Sequence, residues 1–212
     1  MTADQRADYP IPNHQYPLTL VGHMEAKHAA NYLRLTLKDA VPDLFFQSTF
    51  LRSQATMEIL MREGLGHRLQ APITDSRLDE KWDGIFHELS KKELEQRYPD
   101  QIRLRKRSGY YHYRAPGGEN CPDVELRIQS FFSDPLIVNA NHVLIVGHGR
   151  WFFILQKLIH NMTVQEFIEL KEKEDCPNCS ITEYFNPPSH RGLPESVNPW
   201  KDKIDEQPTD FA

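Results

Sequence analysis

The chain has 212 residues, of which 39% are hydrophobic and 26% are charged, and its formal net charge at pH 7 is −5. This length suits one domain with a substantial core better than two domains. The negative charge argues against a general attraction to nucleic acid or anionic lipid, and the apolar runs are too short to span a bilayer. The first residues lack the apolar core of a signal peptide, so we expect a cytoplasmic protein that binds neither nucleic acid nor membrane.

Short apolar runs bounded by turn residues predict four buried strands. These runs are residues 17–21, 43–48, 141–147 and 180–185. Between them, apolar residues recur with helical spacing over about 25–38, 51–63, 90–97, 121–133, 150–160 and 164–173. Strands that alternate with helices predict an α/β fold, a three-layer α/β/α sandwich with a mostly parallel central sheet.

Two segments depart from this alternation. Residues 98–120 are rich in Arg, Tyr, Gly and Pro, and we interpret them as an insertion or lid over one end of the sheet. Residues 187–212 contain several prolines and little regular pattern, which is typical of a loosely packed C-terminal extension. Residues 1–186 then form a single domain.

A CxxC pattern, Cys176 to Cys179, raises the question of a metal or redox site. There is no second CxxC and no nearby pair of histidines at ligand spacing, so a four-ligand zinc site cannot be assembled from sequence neighbours. We therefore expect a turn that leads into a strand, with no metal and no cofactor.

Histidines follow two of the predicted strands, in "LTLVGHMEA" (His23) and "LIVGHGR" (His148). In an open α/β sheet the reactive crevice lies outside the carboxyl ends of the strands. If these strands are neighbours, the two imidazoles face each other there. In "STFLRSQATMEIL", Arg52 falls in the first turn of a helix after a third strand, so its guanidinium would point into the same crevice.

These residue types suit the handling of a phosphoryl group. The planar fork of an arginine matches phosphoryl oxygens, and backbone N–H groups at helix starts add affinity for anions. A neutral imidazole can attack phosphorus, and Glu80, in a predicted loop beside Asp79 and Asp83, is a candidate proton donor. Each residue alone is more often structural or solvated; the combination at matching positions favours a site.

The same segments resemble the motifs of the histidine phosphatase superfamily, in its phosphoglycerate mutase-like branch. "LVGHMEA" resembles the R-H-G-E that follows a strand, and "STFLRSQATMEIL" resembles S-P-L-x-R-x-x-Q-T-x-E-I-L. "LDEKWDG" is similar to L-x-E-x-x-x-G, "YRAPGGENCPDVELRIQSFF" to P-x-G-G-E-S with its helix, and "VLIVGHGRWFFILQKLI" to the second histidine motif. "CPNCSITEYF" is similar to P-N-C-S-[IV]-T near the C-terminus of the family.

The resemblance implies a phosphomonoester hydrolase that works through a phosphohistidine and needs no metal. Its implied catalytic residues are His23 as nucleophile, Glu80 as acid and then base, and His148. The implied ligands of the substrate or phosphate are Arg52, Gly149, Glu25 and Arg114. The partner expected is a small-molecule phosphomonoester or another small anion, and a homodimer is a possible assembly.

The sequence departs from the family at the nucleophile. Gly22 stands where the family has arginine, and Met24 stands where it has glycine. Losing a charge-assisted donor to the phosphoryl group costs about 2 to 4 kcal/mol of transition-state stabilisation, or roughly 30- to 1000-fold in rate.

Three interpretations stay open. The first is a phosphomonoesterase in which another cation replaces the arginine; the candidates are Lys27, His28, Arg105, Arg107 and Arg114. The second is a binding or regulatory pseudophosphatase. The third is a repurposed pocket that performs acid–base chemistry on a substrate without a phosphoryl group.

Overall fold

A three-stranded parallel sheet lies at the centre of the protein. The computed structural model describes residues 12–37, 41–66, 70–87, 89–184 and 196–197. The strands are β1 (Leu44–Gln47), β2 (Ile73–Thr74) and β3 (Val143–Val146), in the order β2-β1-β3. Both pairings are parallel, with Leu44 opposite Val143 and Gln47 opposite Val146. The mostly parallel sheet that the sequence predicts is thus confirmed.

Helices cover both faces of this sheet. They are α1 (Leu20–Thr36), α2 (Leu51–Ile59), α3 (Lys91–Arg97), α4 (Pro99–His112), α5 (Cys121–Phe132), α6 (Pro135–Val138), α7 (Gly149–Ile159) and α8 (Val164–Lys173). A π-helical stretch, Leu60–Leu65, continues α2. No helix of the described residues is long and apolar enough to cross a membrane.

Two hydrophobic clusters lie on opposite sides of the sheet, which makes the fold a three-layer sandwich, as predicted. On one side, α5, α7 and α8 pack against Phe46 and Ile145. On the other side, α1 and the π-helical stretch pack against Leu144 and Val146. Because neighbouring residues of a strand face opposite sides, β3 contributes to both clusters.

The prediction of a strand over residues 17–21 is wrong, because α1 begins at Leu20. Thr19 caps this helix by accepting a hydrogen bond from the Gly22 N–H at 3.0 Å. The apolar run that suggested a buried strand is in fact exposed: Leu20 is 86% and Val21 55% solvent-accessible. The buried side of the helix is instead lined by small residues at helical spacing and one leucine: Gly22, Ala26, Ala29, Ala30 and Leu33.

Two C-terminal predictions need adjustment. The strand predicted at 180–185 is limited to β4 (Ile181–Thr182), which pairs antiparallel with β5 (Ser196–Val197) and not with the central sheet. Apart from these two residues of β5, the predicted extension 187–212 lies outside the described residues.

The segment predicted as an insertion or lid, residues 98–120, contains a regular helix. This is α4, which is interrupted near its end by Gly109 at φ +75° and followed by a turn. Its role as a lid stays a prediction.

The other predicted helices and strands are confirmed within a few residues. Among the described residues, β3 is hydrogen-bonded to β1 alone within its sheet, so it is an edge strand. Its four residues are all partly exposed, whereas Phe45 and Phe46 of β1 are buried.

Candidate functional site

The candidate site lies at the carboxyl edge of β1 and β3. His148 follows β3 after one glycine and is the residue at which α7 starts. Arg52 is in the first turn of α2, a few residues after the end of β1. Because Gln47 and Val146 are register partners, the two strands end side by side. The topological prediction for these two residues is confirmed.

Phe50 provides the surface that Arg52 and His148 share. The guanidinium carbon of Arg52 lies 4.5 Å from the centre of the Phe50 ring. The imidazole of His148 meets the same ring edge-on, with 4.9 Å between ring centres. Phe50 is buried and is the residue before α2, so its ring fixes the guanidinium and the imidazole relative to each other.

A short segment at the N-terminal side covers Arg52. Nη1 of Arg52 donates to the Asn13 carbonyl oxygen at 3.0 Å and to the Asn13 side-chain oxygen at 3.2 Å. His14 lies 6.3 Å from Phe50 and 6.0 Å from Trp82 between ring centres. This segment, a 3₁₀ turn over Asn13–Gln15, therefore sits above the candidate anion site.

Glu80 lies in a loop between two 3₁₀ turns, as the sequence predicts, and contacts an arginine of α7. Its Oε2 is 3.6 Å from Nε of Arg150. The same guanidinium donates to Asp83 at 2.5 Å and to the Lys81 carbonyl at 3.1 Å. Arg150 thus links the loop that contains Glu80 to the helix that starts at His148.

The environment of His148 keeps its imidazole neutral. Burial, and to a smaller extent the positive charges of Arg52, Arg127 and Arg150, lower the pKa of His148 to about 3. Nε2 of the ring lies 2.7 Å from Oγ of Ser48, the residue that follows β1. A neutral imidazole fixed by a buried hydroxyl is a defined hydrogen-bonding group at neutral pH.

The helix starts at this edge lack side-chain caps. Neither Phe50 at the start of α2 nor His148 at the start of α7 makes a capping hydrogen bond. By contrast, α1, α3, α5 and α8 all begin with a side-chain cap. Uncapped N-terminal N–H groups attract anions, so two such sites converge where Arg52 and His148 meet.

His23 is not part of this cluster. The prediction placed it at the end of a strand opposite His148, but the structure places it in the first turns of α1, exposed to solvent. Its Nδ1 lies 3.0 Å from the Thr19 carbonyl oxygen of the preceding turn. The ring lines a cavity of about 800 Å³ together with Leu18, Gln47 and residues of α2; Arg52, Glu80 and His148 do not line this cavity.

The other predicted ligands divide between the cluster and more distant places. Gly149 is the first residue of α7 and follows His148 directly. Glu25, on α1, accepts a hydrogen bond from the Asn178 amide at 3.2 Å. Arg114 is exposed and forms an ion pair with Asp123 at the start of α5. The structure therefore groups Arg52, Glu80, His148 and Gly149.

Sequence reasoning assigned no role to three residues of the site. Ser48 follows β1 and Arg150 follows Gly149, so the rule that selected His148 also applies to them. Asp79 is buried and accepts hydrogen bonds from the backbone N–H and the hydroxyl of Thr49, at 2.8 and 2.9 Å. This carboxylate ties the loop after β1 to the loop that contains Glu80.

The CxxC pattern forms a turn before β4. Cys176 and Cys179 are both free thiols, and Cys179 has φ +53°. Burial raises the pKa of both thiols. In the described ranges no three His, Cys, Asp or Glu side chains are grouped so as to hold a metal ion.

Comparison with known proteins identifies the family. Residues 4–188 match the model of the histidine phosphatase superfamily (branch 1). The chain belongs to this superfamily. It is 31% identical over 150 residues to a 2,3-bisphosphoglycerate-dependent phosphoglycerate mutase of Methylocella silvestris. The aligned residues cover 69% of this chain and 70% of the relative. A mutase of the same description from Nitrobacter winogradskyi is 27% identical over 156 residues, which are 71% of this chain and 72% of that relative.

Solved structures of phosphatases share the fold. The α-ribazole phosphatase of Shigella flexneri superposes with a TM-score of 0.62 at 21% identity, over 79% of this chain and 78% of that one. A mycobacterial glucosyl-3-phosphoglycerate phosphatase, solved with inorganic phosphate, gives a TM-score of 0.55 at 23% identity. This match covers 76% of this chain and 77% of that one. With the family match, these relatives mark the chain as a protein of the phosphatase and mutase type.

Proposed function

We propose that this protein binds a small phosphomonoester at the carboxyl edge of β1 and β3 and hydrolyses it. The observation that supports this most is the meeting of Arg52 and His148 on Phe50, at the uncapped starts of α2 and α7. Cationic, N–H-rich surfaces of this kind bind phosphoryl oxygens. The family of the chain, and the phosphatases that share its fold, favour the same function.

The residues of the cluster have distinct roles in this proposal. Arg52 and the first N–H groups of α7 bind the phosphoryl oxygens, and His148 donates a further hydrogen bond to them. Glu80 gives a proton to the leaving oxygen of the ester. Arg150 holds the loop that contains Glu80 close to His148 through its contacts with Asp83 and Lys81.

The reaction itself is proposed to pass through a phosphohistidine. An imidazole nitrogen forms a bond to phosphorus while the ester P–O bond breaks and Glu80 protonates the leaving oxygen. Water then attacks phosphorus, the N–P bond breaks, and the Glu80 carboxylate accepts the proton of the water. The sequence assigns the nucleophile to His23, but no contact in the described residues brings His23 to this cluster.

The position of His23 favours a second candidate function, which is binding without turnover. A phosphohistidine requires a histidine beside the bound phosphoryl group, and His23 lies on α1 beside a cavity that Arg52, Glu80 and His148 do not line. His148, the histidine within the cluster, is held at Nε2 by Ser48. A phosphate-binding protein with little or no hydrolysis would use Arg52 and His148 in the same way.

One set of measurements separates these functions. We would assay phosphate release from a panel of phosphomonoesters and the binding of inorganic phosphate, for the unaltered chain and for Arg52→Ala. If the chain hydrolyses phosphomonoesters, Arg52→Ala lowers kcat/KM by about 100-fold or more. Arg34→Ala is the control, because Arg34 is an exposed arginine in the last turn of α1.

The nucleophile is identified in the same experiments. Rapid quench during turnover, followed by mass spectrometry, locates the phosphorylated histidine. His23→Ala tests the histidine that the sequence assigns as nucleophile, and His14→Ala tests the histidine whose ring lies near Phe50 and Trp82. Phosphate binding that depends on Arg52, without turnover, supports the second function. Absence of both binding and turnover contradicts both functions.

A further inference from the structure

Ser48 and His148 form a close pair beneath the candidate site. Their Oγ and Nε2 atoms are 2.7 Å apart, and the two residues are 100 positions apart in the chain. Ser48 has no solvent-accessible surface. The backbone N–H of Phe50 donates to the same Oγ at 3.2 Å. The hydroxyl is thus enclosed between the loop after β1 and the histidine at the start of α7.

The hydrogen atoms of this pair can be assigned from its contacts. A serine hydroxyl has one hydrogen to donate and two lone pairs with which to accept. The Phe50 N–H occupies one lone pair, and the hydrogen of a fully buried hydroxyl requires an acceptor. Within the described part of the chain, the acceptor in contact with the Ser48 hydroxyl is Nε2 of His148. Ser48 therefore donates, and Nε2 accepts.

We propose that Ser48 is a positioning residue which fixes His148 in the tautomer with its hydrogen on Nδ1, so that the ring offers a donor to a bound phosphoryl group. This inference rests on the proposed function for its ligand, whereas the tautomer rests on the contacts of Ser48 alone. The reverse arrangement, with Nε2–H donating to Ser48, leaves the buried hydroxyl hydrogen without an acceptor in those contacts.

Two further observations agree with a donating ring. The burial that lowers the pKa of His148 keeps the ring neutral, so that a single ring nitrogen bears a hydrogen. Among the described residues, no hydrogen bond engages Nδ1, which leaves this nitrogen for a ligand. The unprotonated oxygens of a phosphoryl group accept hydrogen bonds, so the Nδ1–H tautomer attracts them, whereas the Nε2–H tautomer places a lone pair of Nδ1 against them.

The tautomer can be read directly from the ¹⁵N-labelled full chain at pH 7. In the ligand-free protein we expect a pyrrole-type ¹⁵N signal for Nδ1 of His148 and a pyridine-type signal for Nε2, assigned by comparison with His148→Gln. A protonated Nε2 in the unaltered chain would overturn the proposal. This spectrum needs no folded variant of Ser48 and no activity.

Variants then test the role of the hydroxyl. In Ser48→Ala we expect the two tautomers to mix and inorganic phosphate to bind about tenfold more weakly. Ser48→Cys, which keeps a weak donor, should restore part of the Nδ1–H signal. Ser53→Ala is the control: Ser53 is also a buried serine, but it bonds to the Ser48 N–H and the Val146 carbonyl.

The outcomes distinguish this inference from the proposed function. If Ser53→Ala mixes the tautomers as much as Ser48→Ala does, the effect is general loosening and the positioning role is wrong. If no form of the chain binds phosphate, the proposed function fails, while the ligand-free spectrum still decides the tautomer.

Discussion

The guanidinium of Arg150 donates to the carboxylate of Asp83 at 2.5 Å, and this contact joins two parts of the candidate site. Arg150 is the second residue of α7, which begins directly after His148. Asp83 ends the loop that contains Glu80. The contact also shifts the pKa of the Asp83 carboxylate: burial would raise it, but the positive charge and hydrogen bond of Arg150 lower it below its ordinary value.

Replacing Arg150 should loosen this loop and destabilise the fold. Arg150 and Asp83 are each about one quarter exposed, at 27% and 28%, so the pair is only partly desolvated. We expect Arg150→Ala to lower the free energy of unfolding by about 1 to 2 kcal/mol, less than for a fully buried pair. Urea denaturation at neutral pH measures the change.

An exposed ion pair of the same type provides the control for Arg150. Arg103 and Asp100 pair on the surface of α4, where both side chains are more than 70% exposed. Arg103→Ala should leave the free energy of unfolding almost unchanged, because exposed pairs contribute little. If Arg150→Ala is equally harmless, the contact with Asp83 does not stabilise the loop.

Gly84 is required by a close approach of two loops. It has φ +54°, and a Cβ at this position would lie 2.2 Å from the Pro116 carbonyl oxygen and 2.6 Å from the Gly118 nitrogen. We expect Gly84→Ala to lower the free energy of unfolding by about 3 kcal/mol or more, because backbone atoms must move apart. Chemical denaturation tests this expectation.

Gly117→Ala measures the cost of the left-handed backbone conformation without the steric clash that is present at Gly84. Its φ is +72°, but the nearest atom to an added Cβ is 4.0 Å away. Gly117→Ala should therefore cost only the left-handed conformation of an alanine, about 1 kcal/mol. Equal losses for the two alanine variants would show that the loops do not approach as closely as described here.

Much of the site was predictable because a topological rule fixes it. Residues that follow parallel strands gather at one edge of the sheet, and this placed Arg52 and His148 correctly from the order of the elements alone. Arg150 and Ser48 fall under the same rule, but their importance depends on contacts with Asp83 and with His148. Such contacts join residues far apart in the chain, and no local pattern encodes them.

The first helix was predicted to begin at about residue 25, five residues later than it does, because a short apolar run is ambiguous. "LTLV" reads equally well as a buried strand or as part of a helix. The side chain of Thr19 resolves this choice, since threonine is a preferred N-cap residue and the small residues that follow recur at helical spacing. The strand interpretation put His23 at the end of a strand, whereas this histidine lies in the first turns of α1.

This correction changes what a substitution at Gly22 should do. If His23 followed a strand that ends beside the bound phosphoryl group, Gly22→Arg would restore a missing charge and raise phosphatase activity. Gly22 is instead buried in the first turn of α1, where an added Cβ would lie 3.1 Å from the side chain of Leu18. A cation is also unfavourable at a helix N-terminus. We expect Gly22→Arg to lower the free energy of unfolding by about 1 to 2 kcal/mol, with no gain in phosphate release.

Gly22→Ala is the matched control for this substitution. Alanine gains about 1 kcal/mol of helix propensity over glycine, and the flexible Leu18 side chain can move by a few tenths of an ångström. Its stability should therefore equal or exceed that of the unaltered chain, as measured by urea denaturation. A large rise in phosphate release for Gly22→Arg would instead place residue 22 beside the phosphoryl group.

The neutral state of His148 should make the protein sensitive to acid. Burial and the nearby arginine charges lower the pKa of His148 from its ordinary value of 6.5 to about 3, so between these pH values the unfolded chain binds a proton that the folded chain does not. The contribution is fully present above pH 6.5 and is lost as the pH falls towards 3. At pH 5 the loss attributable to His148 is about 2 kcal/mol.

His148→Asn removes this titration while keeping a polar side chain. The difference in the free energy of unfolding between pH 7 and pH 5 should then be about 2 kcal/mol smaller in the variant than in the unaltered chain. His142→Asn is the control, since His142 is exposed at the start of β3 and its substitution should leave the difference unchanged. A pH dependence that is the same in all three proteins would mean that the pKa of His148 is the same in the folded and the unfolded chain, so the fold would not be what keeps this imidazole neutral below pH 6.5.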